Sequence, residues 1–196
     1  MRIFKNNPMP LIHIQNQNIL IISDTHGKHR KLTIPQNIEI IIHCGDICND
    51  GDLDEIQDFF NWYSSLEIPH KIFVNGNHDW PFELEPDSAI DLIPDNIIWL
   101  REKSIKLKGI KITGINPYCI FHNRILGSDI DILVFHYPSF GILDNGIGDE
   151  KLRDLIFAIK PKYVVFGHNH DGFGRCKTKN VNFVNASYSN KLSKRT

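Results

Sequence analysis

The chain has no Cys-x-x-Cys pair, no long apolar run and no excess of either charge, and each absence excludes a class of protein. Its four cysteines, Cys44, Cys48, Cys119 and Cys176, are scattered, so neither a disulfide framework nor a thiolate zinc site is expected and the thiols are read as reduced. No run approaches the ~20 apolar residues that a bilayer crossing needs. The start lacks a secretory apolar region, so a soluble, cytoplasmic protein is expected, with the sequon Asn185-Ala186-Ser187 unmodified. With 22 Lys+Arg against 23 Asp+Glu the formal charge is −1, which gives no global attraction for duplex nucleic acid or an acidic membrane. Any affinity for phosphate must be local. There is no internal repeat and no linker. The 196 residues read as one domain, 1–196, with an Asn-, Gln- and Pro-rich extension over 1–18 and a basic tail, 191–196, expected to fray.

What is present is a series of short Ile-, Val-, Leu- and Phe-rich runs. Ile19 to Ile22, Ile38 to Ile42, Ile72 to Val74, Ile132 to Phe135, Tyr163 to Phe166 and Val181 to Val184 predict buried strands. Leu11 to Ile14 predicts an edge strand. Leu53, Ile56, Phe59, Phe60, Tyr63 and Leu66 recur at helical spacing behind Asp54 and Glu55, and Leu152, Leu155, Ile156 and Ile159 do so before Pro161. Alternation around Lys108-Gly109 predicts a hairpin. Strand, helix, strand in that order implies crossovers and a parallel α/β sheet.

Five polar clusters each follow an apolar run: Asp24-Thr25-His26, Gly45-Asp46, Gly76-Asn77-His78-Asp79, His136, and Gly167-His168-Asn169-His170. In a parallel sheet such positions gather along one edge. Asp, Asn and His without sulfur suit Mn²⁺, Fe or Zn²⁺. A pair of such ions about 3.5–4 Å apart screens a phosphate ester and activates water against it. Asp24 and His26, and likewise His168 and His170, are one residue apart, so in an extended segment each pair projects to one side. Asp46 has two oxygens with which to bridge. Asn77 offers an amide oxygen, while His78 is read as a general acid oriented by Asp79. Taken singly, most of these clusters are ordinary turn residues; in ordered combination they point to a metal cage.

The set Asp24-x-His26, Gly45-Asp46-x4-Gly51, Gly76-Asn77-His78-Asp79, His136 and Gly167-His168-x-His170 resembles the calcineurin-like metallophosphoesterase superfamily, over about Ile19 to Ser187. The stretches Tyr137 to Asp144, Phe166 to Gly174 and Phe183 to Ser187 are similar to its small metallophosphoesterase domain-containing branch. The resemblance implies two packed mixed β-sheets flanked by helices, a four-layer α-β-β-α sandwich. It implies a first divalent ion on Asp24, His26, Asp46 and His170, and a second on Asp46, Asn77, His136 and His168. Two departures bear on substrate choice. Only a short polar stretch lies between Pro117 and Asp131, where relatives carry a longer insert, and Tyr137 stands where a small residue is common.

Of the remaining residues, His43 is expected to pack or hydrogen-bond behind the site. His29 and His122 are expected in solvated loops, His13 and His70 as structural, and Trp80 and Phe82 as an apolar brace. The expected activity is hydrolysis of small phosphodiesters, with cyclic nucleotides a candidate class and no membrane partner. The rival readings are a phosphomonoesterase on nucleotides or phosphoproteins, a scaffold that has lost its chemistry, and a nuclease; for the last there is no evident Lys/Arg groove for long nucleic acid.

Overall fold

The computed structural model describes residues 2–4, 10–116 and 129–189. Cys119, His122, the polar stretch over 117–128 and the tail 191–196 lie outside the described residues. The apolar runs become short strands: β1 (Arg2–Phe4), β2 (Leu11–Ile14), β3 (Gln17–Ile22), β4 (Ile40–His43), β5 (His70–Phe73) and β6 (Ile97–Trp99). They continue with β7 (Ser104–Leu107), β8 (Ile110–Gly114), β9 (Ile132–Val134), β10 (Tyr163–Phe166), β11 (Gly174–Lys177) and β12 (Asn182–Asn185). The helices are α1 (Leu53–Ser65), the short α2 (Pro81–Leu84) and α3 (Pro86–Ile90), and α4 (Glu150–Ile159).

The strands form a five-stranded sheet, β2-β3-β4-β5-β6, and a seven-stranded sheet, β1-β11-β12-β10-β9-β8-β7. Pairing from β3 through β6 is parallel and β2 joins antiparallel. In the second sheet β8, β9, β10 and β12 are parallel, and β1, β7 and β11 pair antiparallel. Both sheets are therefore mixed, as the resemblance implies.

Strand alternation sorts the side chains into three apolar layers. Leu20, Ile22, Ile41 and Phe73 turn outward against Ile56, Phe59, Phe60 and Tyr63 of α1. Ile19, Ile21, Ile40, Ile42 and Ile72 turn inward and meet Ile112, Ile132, Val134, Val165 and Val184 of the other sheet. Leu133, Val164, Phe166 and Phe183 face Leu152 and Ile156 of α4. Both long helices have a carboxylate at their start: Asp52 accepts from Asp54 N–H and Glu55 N–H, and Asp149 accepts from Leu152 N–H at 2.6 Å. α4 stops at Lys160, which is left-handed (φ 50°), just before Pro161.

β6 and β11 are not foreseen from the sequence. Three residues are too few to reveal a period, and Gly174-Arg175-Cys176-Lys177 reads as loop until it pairs with both β1 and β12. His29 is a further correction. Instead of lying in solvent it is fully buried, its ring 5.0 Å from Trp62 and 5.5 Å from Phe59. Phe82 is the expected brace, packed on Phe60, Phe73 and Trp99. Among the described residues no helix is long and apolar enough to cross a membrane.

Candidate metal centre

The parallel strands of both sheets end in the polar clusters. Asp24 and His26 follow β3, Asp46 follows β4, Asn77 and His78 follow β5, His136 follows β9, and His168 and His170 follow β10. The sheets meet at this edge: Ser23 and Ser187 form an isolated parallel bridge, and Tyr188 N–H donates to the Ser23 carbonyl at 3.0 Å.

The loops themselves are not extended, and this corrects the sequence reading. Asp24 (φ 55°), His26 (42°), Asp46 (59°) and His168 (64°) are all left-handed, a conformation that costs a non-glycine residue roughly 1 kcal/mol or more. Backbone bonds hold them there: Asp24 N–H to Gly45 O at 2.9 Å, and His26 N–H to Asp46 O at 3.1 Å. The chelating pair is thus presented by a tight turn rather than by strand alternation. Two glycines make the close approach possible. A Cβ on Gly45 (φ 100°) would stand 2.6 Å from both Gly76 N and His136 Nδ1, and one on Gly167 would stand 2.2 Å from Asp24 Oδ2.

Two groups of side chains result. Asp24, His26 and His170 form one, and Asp46, His136 and His168 the other, with the ligand atoms of each within 4.8 Å of one another. In the first, His170 Nε2 lies 3.2 Å from Asp24 Oδ1 and 3.3 Å from His26 Nε2. In the second, Asn77 Oδ1 lies 3.1 Å from His136 Nε2 and 2.9 Å from His168 Nδ1. Asp46 joins them, its Oδ2 being 3.8 Å from His26 Nε2 and 3.2 Å from His136 Nε2. Its other oxygen accepts from His78 N–H at 2.9 Å.

The donor set fits divalent cations. His26 Nδ1 is bonded to the Cys48 carbonyl at 3.0 Å and His136 Nδ1 to the Cys44 carbonyl at 2.8 Å. A carbonyl only accepts, so each Nδ1 carries a proton, and Nε2 is the nitrogen left facing the cage, where a cation would take the place of any proton on it. Asp24, Asp46 and His136 are all buried, and the largest charge effects on them come from one another. Burial raises Asp24, but its hydrogen bond to His170 and the His136 charge bring it below the usual carboxylate range. Burial also opposes ionisation of Asp46, yet His136, by charge and hydrogen bond, and the His78 N–H hold it far down. His136 is pushed up to about 9, because Asp46 outweighs the burial of its charged form. His168, half-buried beside His136, is held down to about 4 by burial and that neighbour's charge.

The residues around the cage differ from expectation at one point. Asp79 does not orient His78. Its carboxylate is buried and turned inward, accepting from Asp46 N–H (2.7 Å), Gly76 N–H (2.9 Å), Ile47 N–H (2.9 Å) and Cys48 N–H (3.3 Å). It thereby ties the loop after β4 to the loop after β5. Burial and the Asp46 charge push it up to about 6. His78 is oriented instead by the Asn49 carbonyl, which its Nδ1 meets, and its ring stands edge-on to His26 at 4.9 Å. His43 lies behind the cage as expected, with Nδ1 accepting from Gly45 N–H at 3.2 Å and Nε2 bonded to Thr25 Oγ1 at 3.1 Å. Glu83 is not foreseen from the sequence: it accepts from Asn75 and Asn116 and pairs with Arg101 at 2.7 Å. No sequence signal marks it, because its partners come from three separate elements.

A four-layer sandwich whose strand ends bring together two carboxylate–imidazole groups defines a class, the metal-dependent phosphoester hydrolases. The chain belongs to the calcineurin-like phosphoesterase family, whose model matches residues 17–172. It is similar to a UPF0046 protein of Caenorhabditis elegans, 31% identical over 85% of this chain and 73% of that protein. It is also similar to the human metallophosphoesterase domain-containing protein 1, 25% identical over 85% of this chain and 64% of the relative. Among solved structures its fold resembles that of TT1561 of Thermus thermophilus, with a TM-score of 0.62 and 16% identity over 86% of this chain and 88% of the other.

Proposed function

We propose that this protein hydrolyses phosphodiester bonds in small substrates, cyclic nucleotides among them, at a centre of two divalent ions. Asp24, His26, Asp46 and His170 would hold one ion, and Asp46, Asn77, His136 and His168 the other. Such a pair, of Mn²⁺, Fe or Zn²⁺, supplies Lewis acidity at the phosphoryl oxygens and acidifies water. The observation that carries this reading is Asp46, whose Oδ2 faces an imidazole of each group at 3.8 and 3.2 Å.

The chain's own residues supply the rest. With Nδ1 held by the Asn49 carbonyl, His78 has Nε2 left to carry the proton that it gives to the leaving oxygen. Asp79 is a positioning residue, keeping the loops of Asp46 and His78 in register. The preference for diesters over monoesters rests on charge. The dominant electrostatic influences on Asp24, Asp46 and His136 are each other, with no lysine or arginine among them. A monoester brings a second negative charge, and among the described residues no lysine or arginine figures in the charges that act on these three groups, so that charge would fall to the ions and the imidazoles.

The test is to strip the protein with chelator, restore Mn²⁺, and compare kcat/KM on the bis-nitrophenyl diester, the nitrophenyl monoester and cyclic nucleotides. The diester is expected to be favoured. His78→Ala is expected to lower kcat by roughly 10²–10⁴-fold with the metal content retained. A variant that loses metal makes His78 a ligand or a prop, and a faster monoester overturns the diesterase reading.

A further inference from the structure

The lysines that formed no groove in the sequence form one in the fold. A surface groove of about 750 Å³ is lined by Lys106, Lys111, Lys160 and Lys162 against two carboxylates, Asp129 and Asp131. Lys106 and Lys111 are direct cross-strand partners in the β7–β8 hairpin, so their side chains share one face. Like charges placed opposite each other in this way destabilise a sheet. Lysine on an edge strand guards against aggregation, which accounts for Lys106 on β7. It does not account for Lys111, since β8 is an interior strand flanked by β7 and β9. Nor does it account for Lys160 and Lys162, which the α4–β10 connection brings to the same groove.

Of the two carboxylates, Asp131 is committed. Asp131 pairs with Lys162 Nζ at 2.6 Å and accepts from Lys111 N–H at 2.8 Å, so the lining keeps an excess of two positive charges, four lysines less two acids. Ile159, partly exposed, adds an apolar part to the same wall, with Ile130 buried behind it. The volume lies in the range of small-molecule sites, ~300–1,000 Å³.

We propose that this groove is a second anion site, taking a small ligand with at least two phosphoryl groups: pyrophosphate, or a nucleoside polyphosphate whose base rests on Ile159. It is separate from the metal centre. Lys111, Asp131 and Lys162 stand at the amino ends of β8, β9 and β10, whereas His136 and His168 follow the carboxyl ends of β9 and β10. The six positions from Lys162 to His168 span on the order of 15–20 Å at ~3.3 Å per residue. Binding in the groove does not depend on which ester the metal centre cleaves.

Calorimetric titration of the metal-loaded chain with pyrophosphate, and separately with ATP, tests it. The charge-reversed double variant Lys106→Glu/Lys160→Glu is expected to bind at least tenfold more weakly while its diester kcat/KM is unchanged, and parental binding is expected to weaken as salt is added. Tighter binding of ATP than of pyrophosphate assigns the apolar wall to a nucleoside; equal affinity assigns the site to the phosphates alone. Should the double variant fail to fold, the parent still decides the matter, because bound ATP is expected to protect Lys106 and Lys160 from acetylation, read by mass spectrometry. Binding unaffected by charge reversal, absence of protection, or binding only of RNA or anionic vesicles overturns the proposal.

Discussion

The two sheets contribute unlike chemistry to one centre. The five-stranded sheet supplies every candidate oxygen ligand, Asp24, Asp46 and Asn77, and one imidazole, His26, whereas the seven-stranded sheet supplies only imidazoles, His136, His168 and His170. Neither half assembles a cage alone, since each three-residue group draws on both sheets. Acid groups gathered on one sheet would repel one another. Facing them with imidazoles from the other turns that repulsion into the mutual stabilisation seen between Asp46 and His136. The packing between the sheets is therefore part of the site.

The largest expected effect comes from the residue that both halves share. Asp46→Asn keeps the shape of the side chain and removes the charge facing His26 and His136. Activity is expected to fall by more than the roughly 10²–10⁴-fold assigned to a general acid, and metal content to drop below two ions per chain. Elemental analysis beside the diester assay checks both. A variant that retains two ions and most of its rate would break the bridge between the halves.

Core substitutions sharpen the same comparison. Ile42 lies in the layer between the sheets and Ile156 in the layer under α4, and both are fully buried. Replacing either with Ala is expected to cost about 2–5 kcal/mol in urea unfolding. Only Ile42→Ala is expected to weaken metal affinity as well, measured by competition with a chelating dye, because only that layer sets the distance between the two ligand sets. Equal affinity in both variants would show that the loops hold the cage without the sheets behind them.

Much of this arrangement was legible before the fold. The seven candidate ligands each follow an apolar run, and runs of that kind end at one edge of a parallel sheet. The backbone that presents them was not legible. Asp24, His26, Asp46 and His168 are left-handed, a state set by bonds such as His26 N–H to Asp46 O, between residues far apart in sequence. The same holds for Asp79. Adjacency to His78 suggested a dyad, but three backbone N–H groups of the loop after β4 and one of its own turn, Gly76, claim its carboxylate, and a buried carboxylate satisfies nearby donors before it reaches toward solvent. His29 looked like a loop residue because the aromatic wall that buries it, Phe59 and Trp62, belongs to α1.

The smallest expected effect concerns how each half braces its loops. In the five-stranded half the brace is titratable: His43 accepts from Gly45 N–H and bonds Thr25 Oγ1. In the seven-stranded half neutral amides serve, with Asn169 Nδ2 donating to the Leu143 carbonyl at 2.7 Å and Asn185 Nδ2 to the Asn169 carbonyl at 2.9 Å. Burial drives His43 down from 6.5 to about 3, so as pH falls the unfolded chain takes up this proton before the folded one. The stability it protects is complete above 6.5 and drains away toward about 3, at a slope of up to about 1.4 kcal/mol per pH unit. His43→Gln offers an amide in place of the ring and cannot titrate. Urea unfolding near neutrality and in mild acid is expected to show the parent losing more stability than the variant, by about one proton's worth. Every other histidine is common to the two proteins, so the difference isolates this residue. Parallel losses would mean that the first sheet's loops are braced as pH-independently as the second's, and that its acid sensitivity resides in the cage alone.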